Sequence, residues 1–122
     1  MARVLVIDDE DFIRDLLRTM LEIDGHQVIE APNGKIGAKL FRENPTDLVV
    51  TDILMPEGDG ALTIRQLKRD YPDIKIIAIS GGGSIADPDT CLNVASRYGA
   101  LRVFAKPFSK RELLAAVREL VG

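Results

Sequence analysis

Several residues with side chains suited to metal and phosphate chemistry stand directly after short apolar runs. Asp8 and Asp9 follow Val4–Ile7, Asp52 follows Leu48–Thr51, Ser80 follows Ile74–Ile79, and Lys106 follows Leu101–Ala105. Gathered into one pocket, three carboxylates repel one another. Either some of them hold a proton at a raised pKa, or a cation neutralises them. Magnesium suits such a site, because it takes hard oxygen ligands, keeps several waters and recruits phosphate oxygens. Lys106 would set a fixed positive charge opposite, and Ser80 a hydroxyl able to donate to a phosphoryl oxygen.

Taken singly, each residue has an ordinary role. Asp8, Asp9 or Asp11 could cap a helix that starts there, and Asp52 could close an Asx-turn before Pro56. Ser80 beside Gly81-Gly82-Gly83 could sit in a solvated turn, and Lys106 could be a surface lysine held extended by Pro107. Separate roles do not account for all of them falling together on four strand ends.

The elements that must position these residues alternate strictly. Val4–Ile7 has the continuous β-branched and leucine character of a strand covered on both faces. Phe12, Ile13, Leu16, Leu17, Met20 and Leu21 follow at helical spacing, stopped by Asp24-Gly25. Val28-Ile29 is a second strand, and Asn33 caps a helix carrying Ile36, Leu40 and Phe41 that ends before Asn44-Pro45. Leu48–Thr51 is a third strand, and the segment from Met55 to Gly60 is a loop by composition. A third helix carries Leu62, Ile64, Leu67 and Lys68 and closes at Tyr71-Pro72. Ile74–Ile79 is the fourth strand. Asp87-Pro88 opens a fourth helix that runs to about Tyr98 and stops at Gly99. Leu101–Ala105 is the fifth strand, and Ser109 with Glu112 has capping-box spacing for a last helix.

Five β–α pairs predict a doubly wound α/β fold, a five-stranded parallel sheet between two layers of helices. The functional crevice of such sheets lies beyond the carboxyl ends of the strands. If the strand order is 2-1-3-4-5, Asp8, Asp9 and Asp52 converge there, with Ser80 and Lys106 at the other wall.

The chain has 122 residues, 46% of them apolar and 29% charged, which predicts one domain over residues 1–122 with no room for an effector domain. Sixteen basic against nineteen acidic residues give a net charge of −3, which argues against a nucleic-acid surface. Four apolar residues before the acidic run from Asp8 to Asp11 are too few for a signal peptide or a membrane span, and the single Cys91 cannot form an internal disulfide. The expected location is cytoplasmic.

The residues resemble the receiver domain of two-component response regulators. The match consists of Val4-Leu-Val-Ile-Asp-Asp-Glu10, Asp52-Ile-Leu-Met-Pro-Glu-Gly-Asp-Gly60 and Ala105-Lys-Pro-Phe108, spread over essentially the whole chain. The resemblance implies the flavodoxin-like order 2-1-3-4-5 with five helices. It implies that Asp52 accepts a phosphoryl group from a phosphohistidine on a sensor histidine kinase or histidine phosphotransfer protein. It also implies that Asp9, Asp52 and the backbone carbonyl of Leu54 ligate magnesium, that Asp8 does so through water, that Lys106 holds a phosphoryl oxygen and that Ser80 is the switch hydroxyl. The output is then a protein contact to an unnamed target, made by a monomer or weak homodimer, with catalysis limited to the protein's own phosphorylation and dephosphorylation.

The chain departs from the family in three places. Val103 stands where the family often has an aromatic switch, and Phe104 falls one residue later, where strand alternation assigns it to packing on the other face. The stretch from Ser80 to Gly99 is longer than in common receivers. Leu54 and Gly82 replace polar groups that influence hydrolytic water, which predicts a long-lived aspartyl phosphate. His26, in the turn before the second strand, is expected to be solvated, and Cys91 to be a packing residue.

Other functions use parts of the same pattern. An aspartyl phosphatase or mutase would use Asp52 and magnesium but needs another Asp where Leu54 stands. A flavodoxin-like carrier needs a hydroxyl- and glycine-rich loop where Asp8 to Asp11 would repel a flavin phosphate. A phosphorelay intermediate and a degenerate receiver used only for binding are further alternatives, the second opposed by intact Asp9, Asp52 and Lys106.

Overall fold

A computed structural model of the chain describes residues 2–55, 58–80, 97, 99–105 and 108–121. Strand β1 (Arg3–Ile7) leads into helix α1 (Asp11–Ile23), β2 (Gln27–Ala31) into α2 (Gly34–Glu43), and β3 (Leu48–Asp52) into a small hairpin, β4 (Leu54–Met55) with β5 (Gly58–Asp59). Helix α3 (Gly60–Asp70), strands β6 (Ile76–Ser80) and β7 (Arg102–Ala105), and helix α4 (Lys110–Val121) complete the order. The large sheet is parallel throughout, with order β2-β1-β3-β6-β7, which is 2-1-3-4-5 counted over its own five strands.

Four helices stand among the described residues, one fewer than expected. The helix expected from Asp87-Pro88 to about Tyr98 lies almost wholly outside the described residues. The hairpin is an addition. Leu54 pairs with Asp59 and Met55 with Gly58, an antiparallel ladder too short to leave a periodic trace in sequence.

Side-chain alternation splits the sheet into two cores. Leu5, Ile7, Val49, Ile76 and Ala78 face one way, with Phe41 of α2 and Ile64 and Leu67 of α3. Val4, Val6, Val50, Ile77 and Ile79 face the other way, with Leu17, Met20 and Leu21 of α1 and Leu113 and Val117 of α4. Every residue of β3 and β6 is buried, as the continuous apolar runs required. Val103 and Phe104 lie on opposite cores, so Phe104 packs as alternation predicted.

The apolar list of α1 divides in two. Ile13, Leu17, Met20 and Leu21 pack inward, whereas Phe12 is 75% and Leu16 40% exposed. Their angular positions on a 3.6-residue helix separate the two sets.

Local chemistry sets the element ends. Asn33 Oδ1 accepts from the Ile36 amide at 2.8 Å, the expected cap of α2. Ser109 Oγ accepts from the Glu112 amide at 3.3 Å, opening α4. Gly25 takes φ +93° after α1, a conformation that side chains resist.

His26 corrects the expectation of a solvated histidine. It is buried, its Nδ1 accepts from the Ala2 amide at 3.1 Å, and its Nε2 lies 3.5 Å from Asp24 Oδ2. Asp24 also receives Arg118 of α4, with Arg118 Nε 3.0 Å from its Oδ2. That pairing holds the Asp24 carboxyl below its ordinary range, and its proximity to His26 adds to the effect. The α1–β2 turn is thereby tied to both β1 and α4.

Candidate functional site

Parallel register brings the candidate residues to one edge. Ile7 stands opposite Ala31 and Thr51, Asp52 opposite Ile79, and Ser80 opposite Ala105. Asp8 therefore leaves β1 at the level where Asp52 ends β3, and Ser80 ends β6 at the same side of the sheet. Backbone bonds extend this order one step further. The Asp8 amide donates to Ala31 O at 3.1 Å, and the Ile53 amide to Ile79 O at 2.9 Å.

Carboxylate oxygens of Asp8, Asp9, Glu10 and Asp52 lie within 4.8 Å of one another. Asp8 and Asp52 are buried, while Asp9 and Glu10 face solvent. Two ionised carboxylates at that spacing repel by roughly 3.5 kcal/mol at an effective dielectric of about 20. A divalent cation offsets this, and four hard oxygens that reach one point, two of them shielded from water, match what magnesium takes. The donor set fits the ion.

Glu10 was not singled out in the sequence. It is the N-cap residue of α1, and its amide donates to Asp8 Oδ1 at 2.9 Å. That bond folds the segment after β1 so that residues 8, 9 and 10 all present oxygens to one place. The alternative role of Asp8, Asp9 or Asp11 as a helix cap is not the one observed: the N-cap residue of α1 is Glu10, and it makes no side-chain cap bond. Asp8 spends its Oδ1 on the loop instead.

Ser80 is 1% exposed, and its buried Oγ has no hydrogen-bond partner among the described residues. A hydroxyl left in that state costs free energy until something polar arrives. Leu54 lies in β4, where its backbone pairs with Asp59. Lys106, Pro107 and Gly82 fall outside the described residues, as does Cys91, and the expectations for them stand on sequence.

The family model of the response regulator receiver domain matches residues 4–118. The chain belongs to that family. A receiver domain protein from Clostridium thermocellum has the same fold, with a TM-score of 0.88, 33% identity, and coverage of 99% of this chain and 94% of that one. The receiver domain of NtrX from Brucella abortus superposes with a TM-score of 0.88 at 28% identity, covering 97% of both chains. Among curated proteins, a probable transcriptional regulator, ycf27, of Porphyra purpurea is 38% identical over 119 residues, which are 98% of this chain and 47% of that protein. This receiver thus spans about half the length of the curated relatives it matches. Its flavodoxin-like strand order, implied by the resemblance, is the one observed.

Proposed function

We propose that this receiver domain accepts a phosphoryl group on Asp52 from a phosphohistidine of a sensor kinase or phosphotransfer protein, and signals through a phosphorylation-dependent protein contact. One observation carries the reading: Asp52, buried at the end of β3, shares one oxygen cluster with Asp8, Asp9 and Glu10. A cluster of that kind supports both metal binding and a nucleophilic carboxylate.

Asp9, Asp52 and the Leu54 carbonyl, with Asp8 through water, would hold magnesium, which would supply charge neutralisation for the transferring oxygens. An oxygen of Asp52 attacks phosphorus, and the bond from phosphorus to the donor's imidazole nitrogen breaks. Burial at the strand end fixes the direction of attack and limits access of competing water. Lys106 would offer its charge to a phosphoryl oxygen, as the family resemblance implies. Ser80 then donates its buried hydroxyl, which has no partner among the described residues, to the new phosphoryl group. That contact couples the modification to the end of β6 and so transmits it. Catalysis extends only to the protein's own phosphorylation and dephosphorylation, and the setting is cytoplasmic.

The test uses acetyl phosphate and magnesium as the donor system. The reading expects a base-labile acyl phosphate on the wild-type chain, absent with EDTA and absent in Asp52→Asn. Label that persists in Asp52→Asn, or forms equally in EDTA, would overturn it. Turnover of free phosphate monoesters would favour a phosphatase instead.

A further inference from the structure

Arg14, on the second turn of α1, reaches back to the acidic segment. Its Nη1 donates to the Asp8 carbonyl oxygen at 2.7 Å, and its Nη2 pairs with Asp11. Its Nε lies 3.4 Å from Glu30 Oε1 on β2, and Glu30 Oε2 in turn receives Arg18 Nη1 at 2.6 Å. The side chain is only 16% exposed, unusual for an arginine on a surface helix. Its guanidinium fork is thus committed on all three nitrogens.

The Asp8 peptide is held at both ends. Its N–H is fixed by Ala31 O at 3.1 Å, and its C=O by Arg14. Between that anchor and the Asp8 Oδ1 to Glu10 amide bond of 2.9 Å lie the residues that present three of the four clustered carboxylates. We infer that Arg14 is a positioning residue for the magnesium site, fixing the backbone of residues 8–10 so that their oxygens meet Asp52 before the ion arrives. This rests on the reading of that cluster as a magnesium site.

The sign of the effect separates positioning from bulk charge. A cation near a cation site repels the incoming ion, so deletion of the Arg14 charge alone would tighten magnesium binding. Loss of positioning weakens it, by about tenfold or more where supporting partners of metal ligands are removed. Lysine keeps the charge but lacks the planar fork and cannot serve Asp8, Asp11 and Glu30 together.

Titration of the full chain with magnesium chloride, followed by calorimetry without any phosphodonor, provides the measurement. Wild type, Asp9→Asn, Arg14→Gln and Arg14→Lys are compared, with thermal unfolding of each in EDTA as a folding control. The inference expects both Arg14 variants to bind magnesium about tenfold or more weakly than wild type. It also expects faster amide motion of residues 8–10 by NMR relaxation in EDTA. Tighter binding in Arg14→Gln, or wild-type affinity in Arg14→Lys, would overturn it, as would variants that lose thermal stability while affinity and amide motion stay as in wild type. If wild type takes up no magnesium, or Asp9→Asn binds as well as wild type, the site reading itself fails and the inference with it.

Discussion

Replacing Asp52 by asparagine should make the metal-free protein more stable while removing most of what magnesium adds. Asp52 is 3% exposed, and its carboxylate lies within 4.8 Å of three others. Each such ionised pair costs roughly 3.5 kcal/mol at an effective dielectric of about 20. The amide is nearly the same size, so no cavity opens. It gives up charge-assisted hydrogen bonds, which return part of the gain. A net stabilisation of about 1–2 kcal/mol in EDTA follows, or a rise in Tm of roughly 3–10 °C for a domain of this size. Magnesium stabilises wild type by RT ln(1 + [L]/Kd), about 2.7 kcal/mol at a hundred times Kd. Chemical denaturation with and without magnesium reads both quantities. A variant less stable than wild type in EDTA, yet equally responsive to magnesium, would refute the idea that repulsion is stored there and relieved by a cation.

Other perturbations test neighbouring parts of the account. Ser80→Ala should leave the stability of the unphosphorylated protein within about 1 kcal/mol, because among the described residues Oγ has no hydrogen-bond partner to lose, while weakening any change that follows phosphorylation. Urea denaturation and partner binding would show the split, and a large loss of basal stability would contradict it. Gly34→Ala should cost about 1–3 kcal/mol, since a Cβ there would sit 2.0 Å from Thr63 Oγ1 and 3.1 Å from its Cβ. Adding Thr63→Ala should recover part of that loss in a double-mutant cycle, and strict additivity would count against the clash. Asp24 has a lowered pKa, caused first by Arg118, so its contribution is present above the ordinary Asp pKa of about 4 and disappears as pH falls through the lower folded value. Arg118→Met should therefore raise the pH midpoint of acid unfolding, and an unchanged midpoint would argue against the link. Leu54→Asn should speed dephosphorylation by admitting an ordered water, measured as decay of the acyl phosphate, and a slower decay would contradict it.

Much of the sheet and three of the four clustered carboxylates were legible in sequence, for a physical reason. Continuous apolar runs such as Ile74–Ile79 mark buried parallel strands, and polar residues that end such runs are forced to the sheet's edge. Asp8, Asp52 and Ser80 were found that way. Glu10 was not, because its place depends on the turn between β1 and α1, fixed by one hydrogen bond from its amide to Asp8. Arg14 was invisible because apolar periodicity says which helix face is buried, not which polar side chain turns back onto a loop. His26 looked solvated because a turn residue between a glycine and a strand carries no periodic trace, yet its ring accepts the Ala2 amide. The β4–β5 hairpin was missed because two-residue strands flanking Pro56 and Glu57 have the composition of a loop.

The most direct measurement is location of the phosphorylated residue. After exposure to acetyl phosphate and magnesium, borohydride reduction converts an aspartyl phosphate to homoserine, which peptide mass spectrometry can place. The account predicts homoserine at position 52 alone, and none when EDTA replaces magnesium. Conversion at Asp8 or Asp9, or a phosphate found on Ser80 with position 52 unmodified, would contradict it.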